Sequence, residues 1–343
     1  MTLPLTLRTS NNAHAAAPAF TSADVVAARR RIAAAQTALL VTHLSPDGDA
    51  IGSVLGFGLA LRAAGKTVVM ACDDGTPDTF RYLTGAKEIT ASPRGEFDLI
   101  VSLDAADLGR LGEVGANLPR RPDLLFDHHI TNPGFADINL LDVSAASTAE
   151  LITEWLEELG LPLTEQVAEC LLTGLITDTQ GFRTSNTTSK TLALAQKLIK
   201  AGAPLSEIYN KALHKRSLAA LRLWAGGLAT LKLEDRVAWA VLTQEARQAA
   251  KFPGQGDADL ADLLTSIREA DVAVVLIERP DGKVKISWRA VPGVNVAQLA
   301  SAFGGGGHAP AAGAEVAGTL AEVEARVIAA TKALLKSEKQ SVK

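Results

Sequence analysis

The chain has 343 residues, of which 47% are hydrophobic and 21% charged, a balance typical of a globular protein with room for two domains. Its 34 basic and 38 acidic residues give a net charge of −4, which argues against broad binding of DNA through a positive surface. The two cysteines, Cys72 and Cys170, lie far apart in the sequence. This spacing disfavours a disulfide framework or a cysteine-based zinc site and suits a reducing cytoplasm.

The N-terminal stretch over residues 1–22 lacks the basic start and apolar core of a signal peptide, so we expect a loose tail there. No apolar run reaches the roughly 18 residues that a membrane span needs. The sequence therefore predicts a cytoplasmic protein without a membrane partner.

The first half of the chain alternates predicted strands with predicted helices. The apolar, β-branched segments that predict strands cover 37–43, 67–71, 98–103 and 123–126. The predicted helices cover about 22–36, 52–64, 147–159 and 165–176. This alternation predicts an α/β domain over residues 23–186, with a mainly parallel five- or six-stranded sheet and helices on both faces.

The second half has a different pattern. Residues 187–224 are helical in pattern and predict a helical linker. Short turns, one of them Pro-Asp-Gly, then join paired apolar segments as in hairpins, at 227–233 with 237–243 and at 272–279 with 283–289. Further helices are predicted near 257–269, 294–303 and 318–336. We therefore expect a smaller α+β domain over 225–337 and a frayed tail over 338–343.

Polar residues follow three of the predicted strands. The first strand leads to His43, Asp47 and Asp49, the third to Asp104, and the fourth to Asp127, His128 and His129. Each group alone has an ordinary explanation, as turn formers, a helix N-cap, or packed and surface histidines. In an open parallel sheet, however, these positions meet outside the carboxyl ends of the strands. So many carboxylates would repel one another without cations, and their convergence favours a metal cluster.

The residue types at this edge indicate which metals would bind. Carboxylates mixed with imidazoles, without thiolates, suit Mn²⁺, Mg²⁺, Fe²⁺ or Co²⁺ better than a structural zinc. With this many ligands, two ions about 3.5–4 Å apart are plausible, an arrangement that clamps a phosphoryl group and activates water.

Four motifs resemble those of the DHH phosphoesterase superfamily, which contains the RecJ exonucleases, family II pyrophosphatases and nanoRNase/pAp phosphatases. They are His43-x-x-x-Asp47-x-Asp49, Asp104 followed by Arg110, Asp127-His128-His129, and Gly174-Leu-Ile-Thr-Asp178-Thr179. Any one of them is weak, but the four together are specific, and the resemblance covers roughly residues 25–335. One departure concerns the loop after Asp178, where many relatives have glycine directly after Asp-Thr and this chain has Gln180 before Gly181.

The resemblance implies a role for each motif residue. One metal ion would be held by His43, Asp47 and Asp104, and the other by Asp49, Asp104, His128 and Asp178, with Asp104 as the bridge. Asp127 would orient a histidine, and His129 would stand near the scissile phosphate as a cationic stabiliser or proton donor. Arg110 and Arg183 are further substrate-binding candidates. The ions implied are two Mn²⁺ per site, with Mg²⁺ or Co²⁺ as alternatives.

The stretch SAFGGGGHAPAAG, residues 301–313, is the second informative feature. One reading is a flexible glycine linker. The other is an anion site, because glycines let backbone N–H groups approach a phosphate and the small residues after His308 could start a helix. Arg289 could bind a phosphate or be an ordinary surface arginine. The Gly-Gly-Gly-His pattern resembles the DHHA1 substrate domain, which implies a substrate-binding set of Arg289, Gly305, Gly306, Gly307 and His308.

The resemblance implies a phosphodiesterase and phosphomonoesterase of the nanoRNase/pAp phosphatase group. It would release nucleoside 5′-monophosphates from RNA of about two to five nucleotides and dephosphorylate pAp. The resemblance of the second domain to DHHA1 argues against a pyrophosphatase, and the length of the chain argues against RecJ. An aromatic content of only 4% argues against a long base-stacking track and against binding to long duplexes.

Four alternatives remain at this level: a c-di-AMP phosphodiesterase, a hydrolase of linear pApA, a short single-strand DNA exonuclease, and a catalytically silent nucleotide-binding regulator. Ligand-type residues at every motif position disfavour the silent regulator. A homodimer is allowed by the sequence.

Overall fold

The structure is a computed structural model that describes residues 20–341, apart from the side chains of His308 and of residues 338–341. Most of the expected N-terminal tail, residues 1–19, and the end of the expected C-terminal tail, 342–343, lie outside this range. The chain divides into two compact units, Met1–Lys215 and Arg216–Lys343. Within residues 20–341, no helix combines the length and apolar character needed to cross a membrane.

The first unit is built on a parallel sheet with the strand order β2-β1-β3-β4-β5. Its strands are β1 (Thr37–Val41), β2 (Thr67–Ala71), β3 (Leu99–Leu103), β4 (Leu124–Asp127) and β5 (Ile138–Leu141). Its helices are α1 (Ser22–Ala34), α2 (Gly48–Ala63), α3 (Gly112–Ala116), α4 (Thr148–Trp155), α5 (Glu165–Asp178), α6 (Ser189–Lys200) and α7 (Leu205–Tyr209). The predicted parallel α/β sheet is confirmed, and β5 is a strand that the sequence analysis did not assign.

Both faces of this sheet are covered, because successive residues of a strand point to opposite faces. Leu40 and Val101 pack on one face, in the large core that includes α2, α4 and α5. Leu39 and Ile100 pack on the other face with a smaller cluster that includes Val114 of α3. Burial on both sides explains why these strands are continuous apolar runs without polar alternation.

Helices α2 and α5 pack unusually close together, because α2 carries a glycine at every fourth position. Gly48, Gly52 and Gly56 all face α5, and a Cβ atom at Gly52 would lie only 2.5 Å from the carbonyl oxygen of Cys170. This close packing brings the first turn of α2 beside the last turn of α5. Both of these helix ends lie at the edge where the parallel strands end.

The second unit has a mixed sheet with the order β10-β11-β9-β8-β7-β6. Its strands are β6 (Lys232–Glu234), β7 (Val237–Leu242), β8 (Val272–Glu278), β9 (Lys283–Ala290), β10 (Gly306–His308) and β11 (Ala311–Ala317). Its helices are α8 (Leu218–Leu228), α9 (Gln244–Ala250), α10 (Leu260–Leu264), α11 (Val296–Ala302) and α12 (Leu320–Ser341). One face of the sheet packs against α11 and α12 and the other against α8, α9 and α10, which confirms the α+β class.

Two sequence predictions in this unit are wrong. The strand predicted from residue 227 begins only at Lys232, because the chain up to Leu228 continues α8, which packs on the core through Leu223. The small residues after His308 form strand β11 in an antiparallel hairpin with β10, where a helix start was predicted. Strand β11 pairs with β9 along its whole length, and this pairing overrides the helical preference of its alanines.

The predicted linker over 187–224 spans the division between the units. Helices α6 and α7 belong to the first unit and α8 to the second. The domain boundaries drawn from the sequence stay a prediction.

Candidate metal centre

The strand order places the switch point of the first sheet between β1 and β3, where ligands bind in folds of this type. One group of polar side chains lies at this point. His43 Nε2 is 3.6 Å from Asp104 Oδ2 and 3.9 Å from Asp47 Oδ1. The three ligand-type atoms form a group able to hold one metal ion.

A second group lies next to the first and includes the facing ends of α2 and α5. His128 Nε2 is 3.5 Å from Asp178 Oδ2 and 4.0 Å from Asp49 Oδ2, and these three residues also form a group able to hold a metal ion. Two ligands about 2.1 Å from one divalent ion are at most about 4.2 Å apart, so the distances in both groups fit a shared ion. The structure thus brings together all six residues that the sequence predicted as ligands.

Asp104 lies between the two groups. Its Oδ2 faces His43, while its Oδ1 is 3.8 Å from His128 Nε2 and accepts a hydrogen bond of 2.9 Å from Thr148 Oγ1. Its backbone has φ of 56°, a left-handed conformation that is rare for an aspartate at the end of a strand and common at functional sites. Burial favours the neutral acid, but the nearby imidazoles of His43, His128 and His129 outweigh it and lower the pKa of Asp104 to about 2.

The other carboxylates of the cluster are destabilised as anions. Burial, reinforced by the charges of Asp104 and Asp178, raises the pKa of Asp49 well above its usual value, although Asp49 accepts hydrogen bonds from the backbone N–H groups of Thr148 and Ala149. Burial, followed by repulsion from Asp104, raises the pKa of Asp178 to about 7. Cations among these groups would remove the repulsion, so the donor set suits divalent metal ions.

Neighbouring groups orient the His43 ring so that Nε2 faces the cluster. Its Nδ1 lies 2.7 Å from the carbonyl oxygen of Leu44 on the side away from the carboxylates. The guanidinium of Arg110 contacts the same ring, with Nη2 at 3.1 Å from Nδ1. Arg110, a predicted substrate residue, therefore lies beside the cluster.

His129 is held by a different partner from His128. The Asp127 carboxylate is fully buried and accepts from His129 Nδ1 at 2.7 Å and from Asn132 Nδ2 at 2.6 Å. Burial lowers the pKa of His129, but the hydrogen bond and charge of Asp127 outweigh it and raise the pKa to about 9. Asn132 also donates to the carbonyl oxygen of Ala105, which ties this pair to the end of β3.

Sequence reasoning missed Thr148 and Asn132. Thr148 begins α4, and its hydroxyl and backbone N–H reach Asp104 and Asp49, respectively. The pattern Ser147-x-x-Glu150 is a capping-box signature that locates this helix N-terminus, whose free N–H groups attract carboxylates. Their contact with Asp49, about one hundred residues away in the chain, has no local signal.

The loop after Asp178 has an unusual backbone. Gln180, Gly181 and Phe182 all have positive φ, at 49°, 75° and 67°. Gln180 adopts a left-handed conformation that glycine tolerates best. This is the position where the sequence departs from the glycine of many relatives. Arg183 follows this loop, and its side chain is exposed.

The remaining predicted substrate residues gather in the second unit. Ala311 of β11 pairs with Arg289 on one side and with His308 on the other, so these residues occupy one row across three strands. Arg289 Nε donates to Asp262 Oδ1 at 2.6 Å, which orients the guanidinium.

The glycines of β10 have a packing role in this hairpin. A Cβ at Gly305 or Gly307 would collide with the backbone of β11, whereas Gly306 faces open space. The glycine run therefore allows the two strands to approach, and the flexible-linker reading is wrong.

A parallel sheet with carboxylates and imidazoles gathered at its switch point is the architecture of a metal-dependent hydrolase. Family models agree with this class: the DHH family, N-terminal domain, matches residues 37–175 and the DHHA1 domain matches residues 235–337. The bifunctional oligoribonuclease and PAP phosphatase NrnA of Thermus thermophilus is 35% identical over 284 residues, which cover 81% of this chain and 84% of that protein. The chain therefore belongs to the DHH/DHHA1 phosphoesterases.

Other relatives extend this comparison. The protein of the same name from Bacillus subtilis is 28% identical, covering 84% of this chain and 91% of its own length. The cyclic-di-AMP phosphodiesterase PdeA of Listeria monocytogenes is 28% identical, and the match covers 86% of this chain but 47% of that protein. Among solved structures, an exopolyphosphatase-related protein from Bacteroides fragilis is similar with a TM-score of 0.86 and 29% identity, covering 94% of this chain and 98% of the other.

Proposed function

We propose that this chain is a cytoplasmic phosphoesterase that hydrolyses short RNA, of about two to five nucleotides, to nucleoside 5′-monophosphates. We also propose that it removes the 3′-phosphate of pAp. The observation that carries the proposal is the pair of metal-type groups at the switch point of the sheet, with Asp104 a member of one group and 3.8 Å from His128 of the other. Similarity to the NrnA proteins, over most of the length of both chains, supports this choice of substrate.

In this proposal, His43, Asp47 and Asp104 hold one metal ion. Asp49, Asp104, His128 and Asp178 hold the other. Mn²⁺ is the proposed ion, with Mg²⁺ or Co²⁺ as alternatives, since all the donors are oxygen or imidazole nitrogen. When bound, a pair of such ions supplies charge stabilisation and an activated water molecule for attack on phosphorus.

The protein's own groups have three tasks. Asp127 holds Nδ1 of His129, and Nε2 is proposed to donate to a phosphoryl oxygen or to the departing oxygen. Arg110 and Arg183 add positive charge near the phosphate. Asp104 keeps both metal-type groups together through its two oxygens.

We propose residues 225–337 as the substrate-binding domain, with 23–186 as the catalytic domain and 187–224 as the link. Arg289, held by Asp262, is proposed to bind a phosphate, and the backbone of Gly305, Gly306 and Gly307 with His308 to bind the adjoining nucleotide. The second candidate function is hydrolysis of c-di-AMP or pApA, favoured by the similarity to the Listeria phosphodiesterase.

A substrate series tests this function. We expect Mn²⁺-dependent release of mononucleotides from 5′-labelled RNA, with rates highest at about two to four nucleotides and falling toward about twenty, because a chain of net charge −4 offers no extended positive surface for added phosphates. DNA oligonucleotides, pAp, pApA and c-di-AMP are measured in parallel. Rates that keep rising with length, or activity confined to c-di-AMP, would contradict the proposal.

The variant Arg289→Ala separates substrate binding from the metal centre. We expect kcat/KM for a dinucleotide to fall. The loss corresponds to a rise of about 1.5–3 kcal/mol in activation free energy, the range for a hydrogen bond to a charged group. Hydrolysis of bis-p-nitrophenyl phosphate, which needs only the metals, serves as the internal control and should be unchanged. Equal losses on both substrates would show that Arg289 acts on the fold and not on the nucleotide.

A further inference from the structure

A buried charged cluster lies at the start of α4, outside the residues proposed as metal ligands. The carboxylate of Glu150, on the first turn of α4, belongs to a residue that is only 1% exposed. Its Oε2 accepts a hydrogen bond of 2.8 Å from the hydroxyl of Thr191 on α6, and its Oε1 is 3.5 Å from Lys190 Nζ. Burying a carboxylate costs free energy unless its partners compensate. Its position therefore indicates a role that an apolar side chain could not fill.

Glu150 fixes the segment at which α4 begins. Its Oε2 also accepts from the backbone N–H of Ala146 at 3.3 Å. Its own backbone N–H donates to Oγ of Ser147, the N-cap of α4, at 3.0 Å. These bonds hold the start of the helix from both sides. Because α6 supplies the hydroxyl of Thr191, the first turn of α4 is anchored to a neighbouring helix as well as to itself.

The residue after the N-cap, Thr148, contacts both metal-type groups. Its hydroxyl donates to Asp104 Oδ1 at 2.9 Å, and its backbone N–H donates to Asp49 Oδ2 at 2.7 Å. Thr148 is fully buried, so bulk water does not compete for these bonds. Asp104 belongs to the group with His43, and Asp49 belongs to the group with His128. Thr148 is thus bonded to one carboxylate of each group.

The hydroxyl of Thr148 decides how the Asp104 carboxylate is turned. Rotation of a carboxylate about its last side-chain bond is soft, so the direction of each oxygen depends on the bonds that it accepts. With Oδ1 bonded to Thr148, Oδ2 faces His43 Nε2 at 3.6 Å. A carboxylate oxygen has two acceptor sites, so Oδ1 can accept this bond and still bind a metal ion.

We propose that Thr148 is a positioning residue of the metal centre and that Glu150 holds it in place. The hydroxyl of Thr148 orients Asp104, while Glu150 fixes the start of α4 against α6. This inference rests on the metal centre of the function proposed above, and it adds two residues that act through Asp104 and Asp49.

Calorimetric titration of the full chain with Mn²⁺ tests the hydroxyl. Thr148→Val keeps the size of the side chain and the backbone N–H that bonds Asp49 but removes the hydroxyl. We expect Mn²⁺ affinity to fall about ten- to a hundredfold, the usual effect of removing a partner of a metal ligand. Thr148→Ser, which restores the hydroxyl, should bind Mn²⁺ like the parent. The control is Thr153→Val, because Thr153 is equally buried on the same helix and donates to the carbonyl oxygen of Ala149 within that helix.

Two glutamates that contact Lys190 test the support from α6. Glu154 Oε2 is 2.9 Å from Lys190 Nζ, and Glu150 Oε1 is 3.5 Å from it, but Glu150 is the one that bonds Ala146 and Thr191. Glu150→Met fills the same space without an acceptor and leaves Lys190 paired with Glu154. We expect Glu150→Met to weaken Mn²⁺ binding and Glu154→Met to leave it unchanged. Glu150→Gln, which keeps an acceptor oxygen for Thr191, should restore the affinity. Thermal melting without metal confirms that each variant is folded.

Kinetics on a dinucleotide separate positioning of the metal centre from binding of substrate. Thr148→Val should lower kcat and leave KM unchanged, because Thr148 acts through Asp104. The inference is overturned if folded Thr148→Val binds Mn²⁺ as tightly as the parent, or if Thr148→Ser or Thr153→Val loses as much affinity as Thr148→Val. A parent chain that binds Mn²⁺ but hydrolyses no short RNA would instead contradict the proposed function, and the Mn²⁺ affinities would still decide the role of Thr148.

Discussion

At the scale of single residues, the adjacent histidines His128 and His129 have different surroundings. His128 Nε2 faces three carboxylates of the cluster at 3.5–4.0 Å. His129 is bonded through Nδ1 to the buried Asp127. Both imidazoles lie 3.8 Å from Asp104 Oδ1 and form a third metal-type group with it, so the hydrogen bond to Asp127 is what distinguishes His129, and a role of His129 toward substrate is a proposal.

Substitution of each histidine tests this difference. His128→Ala should lower the stoichiometry or affinity of bound Mn²⁺ measured by calorimetry, because it removes a ligand-type atom. His129→Ala should leave Mn²⁺ binding intact and reduce turnover by about 10²–10⁴-fold, the usual contribution of a positioned acid or charge. Equal loss of metal in both variants would refute the division of roles.

At the scale of elements, the position of Asp49 beside Asp178 depends on the packing of α2 on α5. The two helix ends meet because glycines on α2 allow close contact with the backbone of α5. The N-terminus of α4 completes the arrangement by donating two backbone hydrogen bonds to Asp49. The metal centre is therefore built by helix packing as much as by strand ends.

Gly52→Ala tests this dependence. The new Cβ would lie 2.5 Å from the Cys170 carbonyl oxygen and 2.7 Å from the Gly174 nitrogen, and neither backbone atom can move without separating the helices. We expect a loss of about 1–3 kcal/mol in the free energy of unfolding together with weaker Mn²⁺ binding. The control is Gly256→Ala, where the added atom meets nothing within 4 Å. Parent-like stability and Mn²⁺ affinity in Gly52→Ala would contradict this account.

At the scale of the whole molecule, the candidate functional residues are divided between two units. The metal-type groups belong to Met1–Lys215, and Arg289 with the glycine hairpin belongs to Arg216–Lys343. Metal binding should therefore stabilise one unit more than the other.

Hydrogen exchange with and without Mn²⁺ measures this effect. At an Mn²⁺ concentration about a hundred times Kd, binding adds about 2.7 kcal/mol to the stability of the folded form. We expect slower exchange in α2, α5 and the strands of the first sheet, and little change in β7, β8 and β9. Asp104→Ala, which removes the shared carboxylate, should abolish the protection. Equal protection of both sheets would show that the two units unfold as one.

Much of the candidate site could be predicted because its residues follow strands that are recognisable locally. Apolar runs such as 98–103 end at Asp104, and parallel strands must present their carboxyl ends at one edge. The sequence could not reveal the partners of these residues. Thr148 and Asn132 contact Asp104 and Asp127 through side chains whose types occur throughout loops and helix starts.

By itself, the sequence determined the parallel sheet, the residue types at its edge and the class of metal they suit, because these follow from the order of apolar and polar residues along the chain. Only the tertiary structure decided that the alanine-rich segment Ala311–Ala317 is a strand, since its pairing with β9 outweighs its helical propensity. Only the tertiary structure oriented Arg289 by Asp262. These features depend on contacts between segments far apart in the chain. Such contacts contribute to stability only when the segments pack together.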